Sequence, residues 1–94
     1  MSAMETKHAI GLIAAERERQ IDVEGRDELH DSEHIFGEIA RAAACYAFPP
    51  EIGSRTEHWP WEWHNWKPTP DDRIRELVKA GALIVAEIER LQRS

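Results

Sequence analysis

TPDDRIRELVKAGALIVAEIERL, residues 69–91, decides the fold class. Thr69 can cap a helix with its hydroxyl, and Pro70 suits the first helical position, where an N–H would lack a partner anyway. Asp71 and Asp72 follow at the positive end of the helix dipole. Ile74, Leu77, Val78, Gly81, Ile84, Val85, Ile88 and Leu91 then recur at steps of three and four, the period of one apolar helical stripe. A helix over 70–92 is roughly 35 Å long, enough to cross a small domain, so the rest of the chain must pack on it. Residues 80–86 are apolar all round, with Leu83 and Ala86 pointing away from the main stripe. That predicts cover from a second direction, by the chain's own tryptophan loop, by another subunit, or by both.

Working back from that helix, PPEIGSRTEHWPWEWHNWKPTP (49–70) holds all five prolines and all four tryptophans of the chain. The prolines forbid a long helix, while four tryptophans are wrong for a disordered linker. The segment 49–69 reads as an ordered loop with one helical turn near Trp63–Trp66. Upstream, residues 31–48 read as a second helix, capped by Asp31 or Ser32, with Ile35, Phe36, Ile39, Ala42, Ala43 and Tyr46 on its apolar side and Pro49-Pro50 as its stop. Its alanines make it narrow, and Gly81 predicts that the last helix crosses it closely there. A first helix covers 3–22, with Ile10, Ile13, Ala14, Arg17 and Ile21 inward and Glu16, Glu18 and Arg19 outward. The expectation is a single all-α domain over 1–94, a three-helix antiparallel arrangement with the Trp/Pro-rich loop between helices 2 and 3.

Ninety-four residues bury a modest core, which favours a homo-oligomer. A net charge of −6 offers no broad cationic surface, so no direct DNA binding is expected. Cys45 is the single cysteine and reads as a small buried residue; a thiolate metal cluster is excluded. The N-terminal stretch turns charged too soon for a signal peptide or a membrane span, so the expectation is a soluble, cytoplasmic protein.

Three constellations can carry chemistry. His30, Asp31, Glu33, His34 and Glu38 share helical spacing, and their donor set suits a divalent ion, magnesium or manganese at the carboxylates and zinc at the imidazoles. The bland reading is a capped, salt-bridged helix start. Tryptophans beside Lys67, His58 and His64 are what stacking on a nucleobase and neutralising a phosphate require, although the same rings would serve a small core. Glu76, Lys79, Glu87 and Arg90 form the third group, where the bland reading is pairing along the helix surface. Arg17 interrupts an apolar stripe, either as a snorkelling side chain or as a cation aimed at a carboxylate or an acidic ligand. No nucleophile motif and no glycine-rich phosphate loop occurs, and no catalytic residue is assigned.

AAERERQIDVEG (14–25), HDSEHIFGEIARAAACYA (30–47), WPWEWHNWKP (59–68) and RELVKAGALIVAEIERL (75–91) together resemble a family of small phage and prophage accessory proteins. That resemblance implies expression in a bacterial host cytoplasm and a role against host defence or physiology. A more distant similarity is to the MazG-like all-α NTP pyrophosphohydrolases, whose ExxE and ExxD helices hold magnesium against a triphosphate. Here Glu38 is followed at i+3 by Arg41, and Glu76 by Lys79, so the carboxylate pairs are incomplete. The leading expectation is a binding protein for a nucleotide-like ligand, with Trp63, Trp66 and Lys67 contacting base and phosphate and Arg17, Arg41 and Lys79 as helix cations. A metal-dependent pyrophosphohydrolase would use His34, Glu38 and Glu87 as its metal set. A third reading is an acidic, anti-CRISPR-like inhibitor of a host defence nuclease, acting through Glu16, Glu18, Asp71, Asp72 and Glu89.

Overall fold

A computed structural model describes residues 2–94, apart from the side chain at position 28. Among the described residues the fold is all-helical: α1 Ala3–Asp22, α2 Glu28–Ser32, α3 Glu38–Ala47 and α4 Arg73–Arg93, with a 3-10 turn at Trp63–Asn65. α1 opens on a capping box in which the Ser2 hydroxyl accepts from the Glu5 N–H and the Glu5 carboxylate accepts from the Ser2 N–H. α4 packs against α3 on one side and α1 on another.

The expected helix over 31–48 is two helices. Asp27, rather than Asp31 or Ser32, caps the first by accepting from the His30 N–H. The chain breaks at Gly37, whose φ of 80° is a left-handed conformation that glycine adopts without a Cβ clash. Glu38 closes the break, its carboxylate accepting from the Phe36 N–H at 2.7 Å. Ile35 and Phe36, expected on an inner face, are exposed as a result. α4 starts three residues later than predicted because Thr69–Asp72 forms a turn, the Asp72 N–H donating to the Thr69 carbonyl. Asp72 then caps the helix through the Arg75 N–H.

The largest correction concerns which face of α4 lies inside. Its buried residues are Glu76, Lys79, Ala80, Ala82, Leu83 and Ala86. Ala80, Leu83 and Ala86 join Ile39, Ala42, Ala43 and Tyr46 of α3 in one core, on which Trp59, Trp61 and Trp66 pack. The second apolar direction of residues 80–86 is therefore the core, covered by α3 and the tryptophan segment. The stripe expected to be the core faces outward, with exposures from 47% at Leu77 to 69% at Ile74 across Ile74, Leu77, Ile84, Ile88 and Leu91. Only its middle is touched: a Cβ built on Gly81 would lie 2.7 Å from Ile13 Cδ1, so the close approach at Gly81 is to α1, not to the alanine helix.

α1 departs in part: Arg17 is buried and Ile13 meets Gly81 as an inward face requires, but the rest of the buried face differs. Its buried residues are Glu16, Arg17 and Gln20, while Ile10, Leu12 and Ile21 are exposed. Glu16 was expected on the wet side. Burial of charge here is supported by ion pairs that cross between helices, and those pairs organise the site below.

Candidate functional site

Four buried or half-buried carboxylates and their arginines tie the elements together. Glu16 on α1 accepts from Arg19 at 2.8 and 2.9 Å and pairs with Arg75 of α4 at 2.6 Å. Glu24 holds Arg19 at 2.8 Å and Arg26 at 3.4 Å. Asp31 takes the Arg17 guanidinium at 2.7 Å, which also donates to Glu89 and to the Arg26 carbonyl. Glu76 accepts from Arg55 at 2.6 Å, from Arg73 at 3.1 Å and from the Thr69 N–H at 2.9 Å. Arg73 also reaches the Tyr46 and Ala47 carbonyls at the end of α3.

Burial pushes the carboxyls of Glu16, Glu24 and Glu76 up, but hydrogen bonds and charge from their arginines outweigh it, and all three sit below their ordinary value of 4.5. For Lys79, burial and the neighbouring Arg75 charge push the amine below its ordinary 10.5. A carboxyl whose folded value is depressed adds stability that is complete above 4.5 and lost as pH falls through the lower folded value. Lys79 follows the same sign in an alkaline window: folding favours its neutral form, so stability gains as pH rises through the lowered folded value toward 10.5. Urea midpoints are accordingly expected to hold steady near neutrality and to fall below about pH 4.5. A flat midpoint from about pH 5 to pH 3 would contradict the buried pairs.

This network fixes the tryptophan segment. The Tyr46 hydroxyl accepts from the Lys67 N–H at 3.0 Å, and Lys79 Nζ donates to the Lys67 carbonyl at 2.7 Å. Trp66 lies 4.7 Å, centroid to centroid, from the Tyr46 ring and 5.0 Å from Trp59. Burial raises the Tyr46 hydroxyl above its usual range, keeping it the neutral acceptor that Lys67 needs.

Between α2 and this segment opens a cleft of about 560 Å³, lined by Glu24, Arg26, His30, His34, Pro60, Trp61, Glu62, His64 and Asn65. Arg26 lies over the Trp61 ring, its guanidinium carbon 4.9 Å from the centroid. His30 and His34 approach the same ring at 5.9 and 5.5 Å. The buried Trp61 Nε1 has no hydrogen-bond partner among the described residues. Lys67 stands near this cleft, its Nζ 3.9 Å from Glu24.

The residues expected to bind a ligand separate into two groups. Arg17 and Lys79 are buried and committed to Asp31, Glu89 and backbone carbonyls, so they act as internal struts. Trp66 packs on the core. Trp63 is 64% exposed, Arg41 is exposed on α3, and neither lines the cleft. Trp61 and Arg26 line the cleft where the sequence reading expects Trp66 and the helix cations, and Glu24 adds a carboxylate held by Arg19 and Arg26. The Pro60 between Trp59 and Trp61 is the local signal that these two rings, 5.5 Å apart, belong to an ordered segment.

The expected metal set does not assemble. His34 and Glu38 meet at 3.4 Å, but Glu87 is engaged by Arg90 at 2.6 and 3.2 Å beside Ala40, Ala43, Ala44, Ala47, Ile84 and Ile88. Among the described residues no group of three or more His, Cys, Asp or Glu side chains is placed to hold a metal ion. The acidic surface is also reduced, because Glu16 is buried against Arg19 and Arg75 and Glu89 serves Arg17. Cys45 is buried and burial raises its thiol, which suits packing rather than nucleophilic attack. Among the described residues no helix is long and apolar enough to cross a membrane. Comparisons with protein-family models, with curated proteins and with solved structures find no match.

Proposed function

We propose that this chain is a binding protein that captures a flat, anionic, nucleotide-like ligand in the cleft between α2 and the tryptophan segment. The observation that carries the reading is the convergence of the Trp61 ring, the Arg26 guanidinium and the imidazoles of His30, His34 and His64 around about 560 Å³. A ring face accepts a base by stacking, and cationic or donor groups at its edge accept phosphate oxygens. Trp61 Nε1–H adds a buried donor in need of an acceptor. With Arg17 and Lys79 used internally, Arg26 is an arginine lining the cleft, and Lys67 stands 3.9 Å from the lining Glu24. Together with the resemblance to phage accessory proteins, this favours sequestration of a host nucleotide or nucleotide signal over hydrolysis. The pyrophosphohydrolase reading is less favoured, since Glu87 of its metal set is held by Arg90 and Glu76 by Arg55 and Arg73.

The test is a thermal-shift and calorimetric screen against mononucleotides, cyclic oligonucleotides and NAD-derived compounds, with and without magnesium. A ligand at a hundred times its Kd adds about 2.7 kcal/mol, a rise on the order of 10 °C in a domain of this size. His64→Ala and Asn65→Ala alter the cleft wall without removing a core contact and are expected to weaken binding. A shift that is independent of both substitutions would place the ligand elsewhere, and silence across the panel would remove the reading.

A second reading has its own observation. The outward stripe of α4 is long, apolar and bordered by Leu12 of α1, which fits a second copy of this chain and a homo-oligomer.

A further inference from the structure

The geometry points to a two-histidine chelate for a divalent transition metal of borderline softness at His30 and His34. The Nε2 atoms of the two rings face each other at 3.2 Å. At their other nitrogens, His30 Nδ1 lies 3.0 Å from Asp31 Oδ1 and His34 Nδ1 lies 3.4 Å from Glu38 Oε2. The row Asp31–His30–His34–Glu38 thus contains three polar contacts in series, and each needs a hydrogen. Carboxylates supply none, and two neutral imidazoles supply two. If both hydrogens go to the carboxylates, two Nε2 lone pairs confront each other at 3.2 Å. One positive centre between them resolves the conflict.

A metal ion satisfies the distances. Two imidazole nitrogens each about 2.0–2.1 Å from zinc, at a near-tetrahedral angle, stand about 3.3 Å apart. An imidazole that binds metal through one nitrogen commonly donates the other N–H to a carboxylate, which fixes tautomer and ring direction. Both carboxylates are themselves held: Asp31 by Arg17 at 2.7 Å and Glu38 by the Phe36 N–H at 2.7 Å. The sequence pattern pointed to Glu38 as a ligand; here it is a positioning residue, and His30 supplies the second nitrogen. An all-imidazole donor pair selects zinc, nickel or copper over magnesium or manganese. Asp31 and Glu38 face the far nitrogens of the rings, and among the described residues no group of three or more ligating side chains is placed on one ion, so the remaining positions belong to water or to a molecule in the cleft. This site stands whether or not the cleft binds a nucleotide.

The experiment titrates the purified full chain with zinc and with nickel at neutral pH by calorimetry. Saturable binding at one ion per chain is expected, with no response to magnesium. His30→Ala and His34→Ala should each abolish it, His8→Ala should leave it unchanged, and Glu38→Gln should weaken it about tenfold or more. Circular dichroism of each variant confirms that the helices remain. Cobalt absorption offers an independent readout in the unsubstituted protein, where a d–d band that vanishes on adding zinc is expected. The proposal is overturned by zinc binding that is absent from the unsubstituted protein, or that is equally strong in His30→Ala and His34→Ala.

Discussion

Replacing Glu76 with alanine is expected to lower the unfolding free energy by about 3–5 kcal/mol, the cost of breaking a buried charge pair from one side. Glu76 is fully buried and takes three donors from three parts of the chain: Arg55, Arg73 and the Thr69 N–H. Its loss leaves two guanidinium groups and one backbone donor without their acceptor. Arg55, almost as buried, already has one nitrogen without a hydrogen-bond partner among the described residues, so it cannot readily find a substitute. At about 4–8 °C per kcal/mol for a domain of this size, the melting temperature should fall by 12 °C or more. Urea unfolding at neutral pH measures it. Removing both partners together, as in Glu76→Leu with Arg55→Met, should cost less than Glu76→Ala alone, because the uncompensated Arg55 charge is gone. If Glu76→Ala and the double variant were equally and mildly destabilised, the pair would not be the strut its geometry describes.

The same residue shows where the sequence could and could not be read. Helical class followed from local chemistry: capping residues, periodicity and paired prolines act within a few positions, and they place α1 and α4 within a few residues. Facing did not follow. A period of three and four identifies an apolar stripe but not what it touches, and α4 carries two apolar directions. The core took the one with alanines and Leu83, because α3 is itself lined with Ala42 and Ala43 and needs a close neighbour. That choice turned Glu76 and Lys79 inward and brought Glu16, Arg17 and Gln20 after them, contrary to the ordinary rule for charged residues. The break at Gly37 was missed because Ile35, Phe36 and Ile39 continue the helical pattern across it.

For the candidate site, local spacing found His34 and Glu38, although it is the break at Gly37 and not a helical turn that brings them to 3.4 Å. It offers a carboxylate for Arg17 and a core role for the tryptophans, both of which the structure shows, but it does not name the partners, which lie far away in sequence: Glu89 is 72 residues from Arg17. Trp61 belongs to the tryptophan cluster the sequence offers, but its pairing with Arg26 does not show there, since a guanidinium over an indole 35 residues away leaves no local pattern.

Inverting the core also leaves an account to settle on the outside, and the second large effect is expected there. Ile84→Glu with Ile88→Glu should convert an oligomer into a monomer of 10.8 kDa while leaving the helices intact. Both side chains are about half exposed in the single chain, so charging them disturbs little within it. They line an apolar groove with Ala40, Ala44 and Ala47 of α3, and the stripe continues through Leu77 and Ile74 to Leu12 and Ala9 of α1. A surface of that length, running along a 21-residue helix, exceeds what isolated surface residues explain. Self-pairing fits it because the same face can meet its own copy across a two-fold axis, with alanines on α3 receiving the isoleucines of the partner. Light scattering on the unsubstituted chain should give about twice the monomer mass or a higher multiple, and the doubly charged variant the monomer mass. Partial dissociation on dilution, with a concentration-dependent melting temperature, is the companion expectation. A monomer at every concentration would assign the stripe to a different protein, and an oligomer untouched by both glutamates would place the contact on another face.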